Sequence, residues 1–198
     1  MSNTAIEAAR MMDMLPDEDK TFAYEFIKKL VKAWDPDFTK VTPEEAQRMY
    51  DVKTEIFHRM PVAEIFPGVL PLMQKIKDAG ITIGVVTGSG QRPLFKRLLN
   101  DFDGFLTEDH IVTAYDVERG KPNPDPYLMG LRKAGNLQPW QGIVVENAPL
   151  GVRAGVAARI FTVGVNSGPL PDAALADQGA NIVLQRITEL CDQWEQFI

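Results

Sequence analysis

From the amino terminus to about residue 62, apolar positions recur at helical spacing, and this stretch reads as helices only. Thr4 and Glu7 form a capping box that opens an amphipathic run through Ile6, Met11, Met14 and Leu15. A second run holds Phe22, Phe26, Ile27, Leu30, Val31 and Trp34 and stops at Asp35-Pro36, because the residue before proline disfavours the α region. Thr42-Pro43-Glu44-Glu45 signals a third helix start, with a hydroxyl cap, a proline in the first turn and a glutamate three positions on. That helix continues through Met49, Tyr50 and Ile56. These methionine and aromatic stripes suit helix packing better than a cofactor pocket.

The pattern changes at Phe66-Pro67-Gly68, where strands begin to alternate with helices. Such alternation predicts a parallel α/β sheet. The helix carrying Leu72, Met73 and Ile76 should end at Gly80 in a left-handed cap. Residues 81–86 read as a buried strand, followed by a helix with Phe95, Leu98 and Leu99. Residues 111–114 form a short strand, 125–134 a helix, 143–145 a strand, 150–158 a helix and 160–165 a strand. Residues 182–184 give an edge strand before a last helix with Ile187, Leu190 and Trp194. The lobe boundary falls within 61–67.

Composition narrows the field. A chain of 198 residues, 45% hydrophobic and 24% charged, can bury a core of its own. A net charge of −6 argues against a broad basic face for nucleic acid. No run approaches the roughly 18–20 apolar residues that span a bilayer, and Met1-Ser2-Asn3-Thr4 lacks the features of a signal peptide, so a cytoplasmic place without membrane attachment is expected. The single Cys191 excludes an internal disulfide and, among Ile187, Leu190 and Trp194, reads as a packed thiol. His58 and His110 have no metal-ligand spacing.

In doubly wound sheets, ligands collect beyond the carboxyl ends of the strands. Thr87 and Glu146 fall at such ends. After Thr87 come Gly88-Ser89-Gly90 and a helix start, a turn whose free N–H groups can attract an anion, although a plain strand-to-helix turn also needs glycine. No Gly-Lys-Ser/Thr follows, so a nucleotide P-loop is excluded. Lys121 lies in a proline-rich segment and can neutralise a phosphoryl group or a carboxylate as a point charge; alone it also reads as a solvated loop lysine. Glu146-Asn147 offers a carboxylate and an amide oxygen, donors that hard cations such as Mg²⁺ accept, while Asn147 could equally cap the next helix.

In this order the segments resemble the haloacid dehalogenase-like hydrolase superfamily, in particular its β-phosphoglucomutase and phosphoglycolate phosphatase-like branch. Val85-Val86-Thr87-Gly88-Ser89 resembles the family's second motif, Gly120-Lys121-Pro122-Asn123-Pro124-Asp125-Pro126-Tyr127 its third, and Val144-Val145-Glu146-Asn147-Ala148-Pro149-Leu150-Gly151 its fourth. The resemblance implies a Rossmann-like α/β core over 63–198 and a helical cap over 1–62, shortened at its amino-terminal side. It implies that Thr87, Gly88, Ser89 and Lys121 bind phosphate, that Thr87 and Lys121 serve catalysis, and that Glu146 and Asn147 hold Mg²⁺. Asn147 stands where the family usually has Asp, which implies weaker metal binding. The implied substrate is a small phosphorylated metabolite such as a sugar phosphate, handled by a monomer or weak homodimer.

One part of the pattern is missing. The family's first motif, an apolar strand ending Asp-x-Asp-Gly that supplies the attacking carboxylate, should precede the cap, yet residues 1–15 hold no β run and no Asp-x-Asp. Asp101-Phe102-Asp103-Gly104 imitates it but follows a helix, and reads as a turn. The chain is therefore expected to be truncated and nearly inactive as it stands, with the sheet's central strand absent. A phosphate-binding remnant without turnover is the competing expectation, and a swapped dimer that fills the gap is a third.

Overall fold

A computed structural model describes Glu44, Gln47, Arg48, Asp51, Glu55 and residues 64–197 apart from Gln91, Pro169 and Asp172. The chain divides into two compact units, Met1–Glu64 and Ile65–Ile198. In the first, Glu44, Gln47, Arg48, Asp51 and Glu55 are helical, in the segment where Thr42-Pro43-Glu44-Glu45 predicts a helix, Glu64 is not, and Gln47 donates to Asp51 one turn on at 2.8 Å. The two amino-terminal runs, Trp34 and His58 lie outside the described residues.

The second unit alternates strands and helices as its apolar pattern requires. Helix α1 (Val69–Asp78) buries Leu72 and Met73. It ends in a paired motif, with the amide of Ile81 on the carbonyl of Ile76 at 3.1 Å and that of Gly80 on Lys77 at 2.9 Å. This closure needs the left-handed φ of 71° at Gly80, which glycine adopts without a Cβ penalty. Strand β1 (Val85–Val86), helix α2 (Arg92–Asp101), strand β2 (Ile111–Val112) and helix α3 (Asp125–Lys133) follow. Then come β3 (Ile143–Glu146), α4 (Pro149–Ala157), β4 (Phe161–Val165), the short α5 (Ala173–Ala176), β5 (Ile182–Leu184) and α6 (Ile187–Asp192).

Among the described residues all strand pairs are parallel, but they fall into two sheets. β1 pairs with β2, Val85 opposite Ile111, while β3, β4 and β5 form a three-stranded sheet with β4 central and β5 at an edge. Among the described residues no strand joins β1 to β3. The segment predicted as a six-residue buried strand therefore pairs over Val85–Val86 alone, and Ile81 is exposed. A β run is stabilised by its neighbours rather than by local preference, so it shortens to the length its partner supports.

Two apolar clusters surround the three-stranded sheet. Leu72, Val163, Val165, Leu184, Leu190, Cys191 and Trp194 form one. Tyr127, Leu131, Val144, Ala154, Ala158 and Ile160 form the other. Cys191 is packed in the first, as its apolar setting predicts. In the second, α4 lies so close to the sheet that a Cβ at Gly155 would sit 2.6 Å from the Thr162 hydroxyl oxygen and 3.1 Å from Val144. Among the described residues no helix is long and apolar enough to cross a membrane.

The loop after β2 is fixed by a polar network. Asp116 accepts from the amide and hydroxyl of Thr113 at 2.7 Å and from Lys133 at 2.8 Å, and Lys133 also reaches the Ile111 carbonyl at 2.7 Å. Burial alone would raise the Asp116 pKa, but the bonds from Lys133 and Thr113 outweigh it and hold the carboxyl at about 2, below its usual 3.8.

Two stability predictions follow from this packing. Gly155→Ala overfills the α4–sheet contact and is expected to destabilise by about 1–3 kcal/mol, read as a lower midpoint in thermal melts followed by circular dichroism. Because the folded pKa of Asp116 is depressed, its stabilisation is complete above about pH 4 and lost as pH falls toward 2. Asp116→Asn should therefore lower urea stability by about 2 kcal/mol at pH 7, with the difference from wild type shrinking as pH falls through that window.

Candidate active site

Glu146 closes β3 at the carboxyl end of the sheet, and the chain turns at once into α4. Its carboxylate folds back over the start of that helix. One oxygen, Oε2, accepts the backbone amides of Asn147 at 3.1 Å and Ala148 at 3.2 Å. Unpaired amides at a helix start favour negative charge, so the strand-to-helix turn is itself part of the anion's support. The carboxylate has room only because residue 151 is glycine: a Cβ there would lie 2.0 Å from the carboxyl carbon.

The other oxygen, Oε1, accepts the Tyr127 hydroxyl at 2.6 Å and the Lys121 ammonium in a close ion pair. Lys121 also donates to the carbonyl of Val86 at 3.0 Å, the residue before Thr87, and stands 4.9 Å from the Tyr127 ring centre. The side chains of Lys121 and Glu146 are only 18% and 11% exposed, so water screens the pair weakly. The Lys121–Pro122 peptide is cis. Burial, then the neighbouring Glu146 charge and hydrogen bond, push the Tyr127 hydroxyl well above the usual tyrosine pKa, so it remains a proton donor.

Thr87 follows β1 and extends its ladder, its amide on the Val112 carbonyl at 2.9 Å. The Thr87 hydroxyl oxygen accepts the Ser89 amide at 3.1 Å. Gly88 is exposed, and the Ser89 carbonyl accepts the amide of Ala114 from the loop after β2 at 3.3 Å. At Gly90 a Cβ would meet the Tyr115 ring at 2.8 Å. A cavity of about 640 Å³ opens beside Glu146, where the ends of β3, β4 and β5 meet Phe66 and Arg186.

The structure thus brings Lys121 and Glu146 into contact and sets Lys121 against the residue preceding Thr87. Asn147 lies beside Glu146 but does not cap α4, whose N-cap is Ala148. Its side-chain amide reaches the Ser167 hydroxyl at 3.4 Å. Asp101 is the last residue of α2 and pairs with Arg97 at 3.1 Å. It stands at the carboxyl end of the helix that connects β1 to the segment before β2. Tyr127 and Gly151, which shape the site, carry no sign of it in the sequence beyond their places in the third and fourth motifs.

The residues described suit a divalent cation poorly by themselves. A carboxylate offers about four acceptor positions, and Glu146 has four donors upon them. Asn147 supplies one neutral oxygen, and among the described residues no group of three or more His, Cys, Asp or Glu gathers to hold a metal.

The haloacid dehalogenase-like hydrolase model matches residues 11–165, most of the chain. The chain belongs to this family. Its relatives lie in the family's β-phosphoglucomutase and phosphatase branch. The chain is similar to validoxylamine A 7'-phosphate phosphatase of Streptomyces hygroscopicus subsp. limoneus, 37% identical over 132 residues, covering 66% of this chain and 59% of that protein. It is 41% identical over 101 residues to hexitol phosphatase A of Escherichia coli, covering 51% and 45% respectively. A Bacteroides vulgatus structure assigned as a β-phosphoglucomutase superposes with a TM-score of 0.72 at 48% identity, covering 78% of this chain and 62% of that one. The matched parts span about half of the two phosphatases.

Glu146→Gln is expected to destabilise by about 3–5 kcal/mol, because it leaves a buried ammonium without its counter-charge. Urea denaturation of the variant beside wild type measures this.

Proposed function

We propose that the chain forms the phosphate-holding core of a phosphatase or phosphomutase that takes a small phosphorylated metabolite, a sugar or polyol phosphate in class. The observation that carries this reading is the position of Lys121, a half-buried ammonium held between Val86 and Glu146 at the strand ends. An ammonium has three hydrogens, and two are engaged. The third has no acceptor among the described residues and suits a phosphoryl oxygen. Beside it, the Thr87 hydroxyl oxygen already accepts from Ser89, so its own hydrogen points elsewhere and can serve the same ligand. The exposed Gly88 leaves the backbone open to close approach. Relatives that act on hexitol and validoxylamine phosphates support the substrate class.

The family resemblance implies Mg²⁺ with Glu146 and Asn147 as ligands. On this geometry Asn147 is the more open donor, and Glu146 would bind metal only by exchanging one of its four partners. When bound, such an ion would withdraw charge from the phosphoryl oxygens. The residues of this chain would hold the ester by charge and hydrogen bonding, with Lys121 as the counter-charge. We place the protein in the cytoplasm as a monomer or weak homodimer.

Attack on phosphorus by an aspartate needs a free carboxylate at this end of the sheet. Among the described residues each candidate is engaged: Asp116 with Thr113 and Lys133, Asp125 with Arg119, and Glu146 as above. Among the described residues this favours the second reading, a phosphate-binding module without turnover.

Titration calorimetry with inorganic phosphate tests the common ground. Wild type should bind it, Lys121→Ala should weaken binding at least tenfold, and Thr87→Ala should weaken it severalfold. Absence of binding by folded wild type would defeat the reading. Assay with p-nitrophenyl phosphate separates enzyme from module: trace hydrolysis is expected, whereas rapid turnover lost in Asp101→Asn would make Asp101 the nucleophile and overturn its rejection for that role.

A further inference from the structure

Lys121 lies in the loop before α3 and Tyr127 in its first turn, six residues on, and both meet the same oxygen of Glu146. The tyrosine acts on the pair in two ways. Its hydroxyl, 2.6 Å from Oε1, occupies the remaining acceptor position on that oxygen. Its ring lies beneath the ammonium at 4.9 Å, within the range where a π face attracts a cation. The residue is 8% exposed and packs with Leu131, Val144 and Ala154, so neither ring nor hydroxyl has freedom to move away.

Without the hydroxyl, Oε1 would have only one lysine hydrogen, and the ammonium could turn a second hydrogen onto the vacated position of that oxygen while staying over the ring. That arrangement would draw its third hydrogen onto the carboxylate and away from Thr87. With the hydroxyl present, the carboxylate is saturated: two backbone amides hold one oxygen, and Tyr127 with one lysine hydrogen holds the other. The Val86 carbonyl takes the second lysine hydrogen, and the third stays outward.

We propose that Tyr127 is a positioning residue for phosphate binding, whose hydroxyl and ring together keep one hydrogen of Lys121 directed away from Glu146 and toward the ligand. This rests on the phosphate reading given above. Tyr127 does not touch the phosphate; it acts through the ammonium.

The test uses the full chain with inorganic phosphate as the probe, in wild type, Tyr127→Phe and Leu131→Val. The phenylalanine variant keeps the ring and removes only the hydroxyl. Leu131→Val trims the same core cluster on the same helix at a side chain that can make no hydrogen bond to the ion pair. Tyr127→Phe is expected to weaken phosphate about tenfold by calorimetry, while Leu131→Val shifts affinity less than twofold for a comparable fall in melting temperature. In the phenylalanine variant, the Lys121 side-chain NMR signals should keep their ring-current displacement, showing that the lysine is still over the ring. Equal affinity in wild type and Tyr127→Phe would overturn the proposal. So would an equal loss in Leu131→Val at matched stability, since a general loosening of the core would then account for the effect. If wild type itself fails to bind phosphate, the functional reading falls first, and the two failures remain distinct.

Discussion

One ammonium group ties the two sheets of this unit together. Lys121 donates to the backbone of β1 and to the side chain that ends β3, and no strand among the described residues lies between them. A lysine so placed is both a structural strut and a cation held at the crossing point. The two roles share a physical origin. The surroundings are dry enough for the charge to be felt, and the carboxylate that neutralises it is itself held in place by a helix start. Remove the carboxylate, and the strut becomes an unpaired buried charge.

The metal question follows from the same saturation. Each partner of Glu146 lowers its capacity to accept another, so the acid best placed for a hard cation is also the one most fully engaged. Asn147, with one neutral oxygen exposed to solvent, cannot balance the charge of a divalent ion. The phosphate reading therefore stands on Lys121 and Thr87 and does not depend on a bound metal.

The sequence showed what depends on local chemistry. Gly80 marks the end of α1 because only a left-handed residue closes that motif, and the apolar runs at 143–145 and 160–165 announce β3 and β4 through their own composition. That Thr87 and Glu146 stand directly after strands was legible in the sequence; the contacts of Lys121 with the Val86 carbonyl and with Glu146 come from the fold. Contacts set by the fold were less so. The run at 81–86 looks like a strand throughout, yet only Val85 and Val86 are paired, since extension needs a partner. Nothing in the sequence distinguishes Tyr127 from a core aromatic, and the need for glycine at 151 appears only when the Glu146 carboxylate is seen turned back over the helix. The Ser89 amide, expected to face an anion, instead holds the Thr87 hydroxyl. The short α5 had no recognisable signal.

The separation of these contacts along the chain has a kinetic meaning. Lys121 and Tyr127 meet across six residues, whereas Lys121 and Glu146 meet across 25. Loop closure grows more unfavourable with the logarithm of length, so the cation can settle on its aromatic platform before the acid arrives. The short contact thus costs less chain entropy than the long one, and most of the ordering cost of this cluster falls on bringing β3 to the lysine.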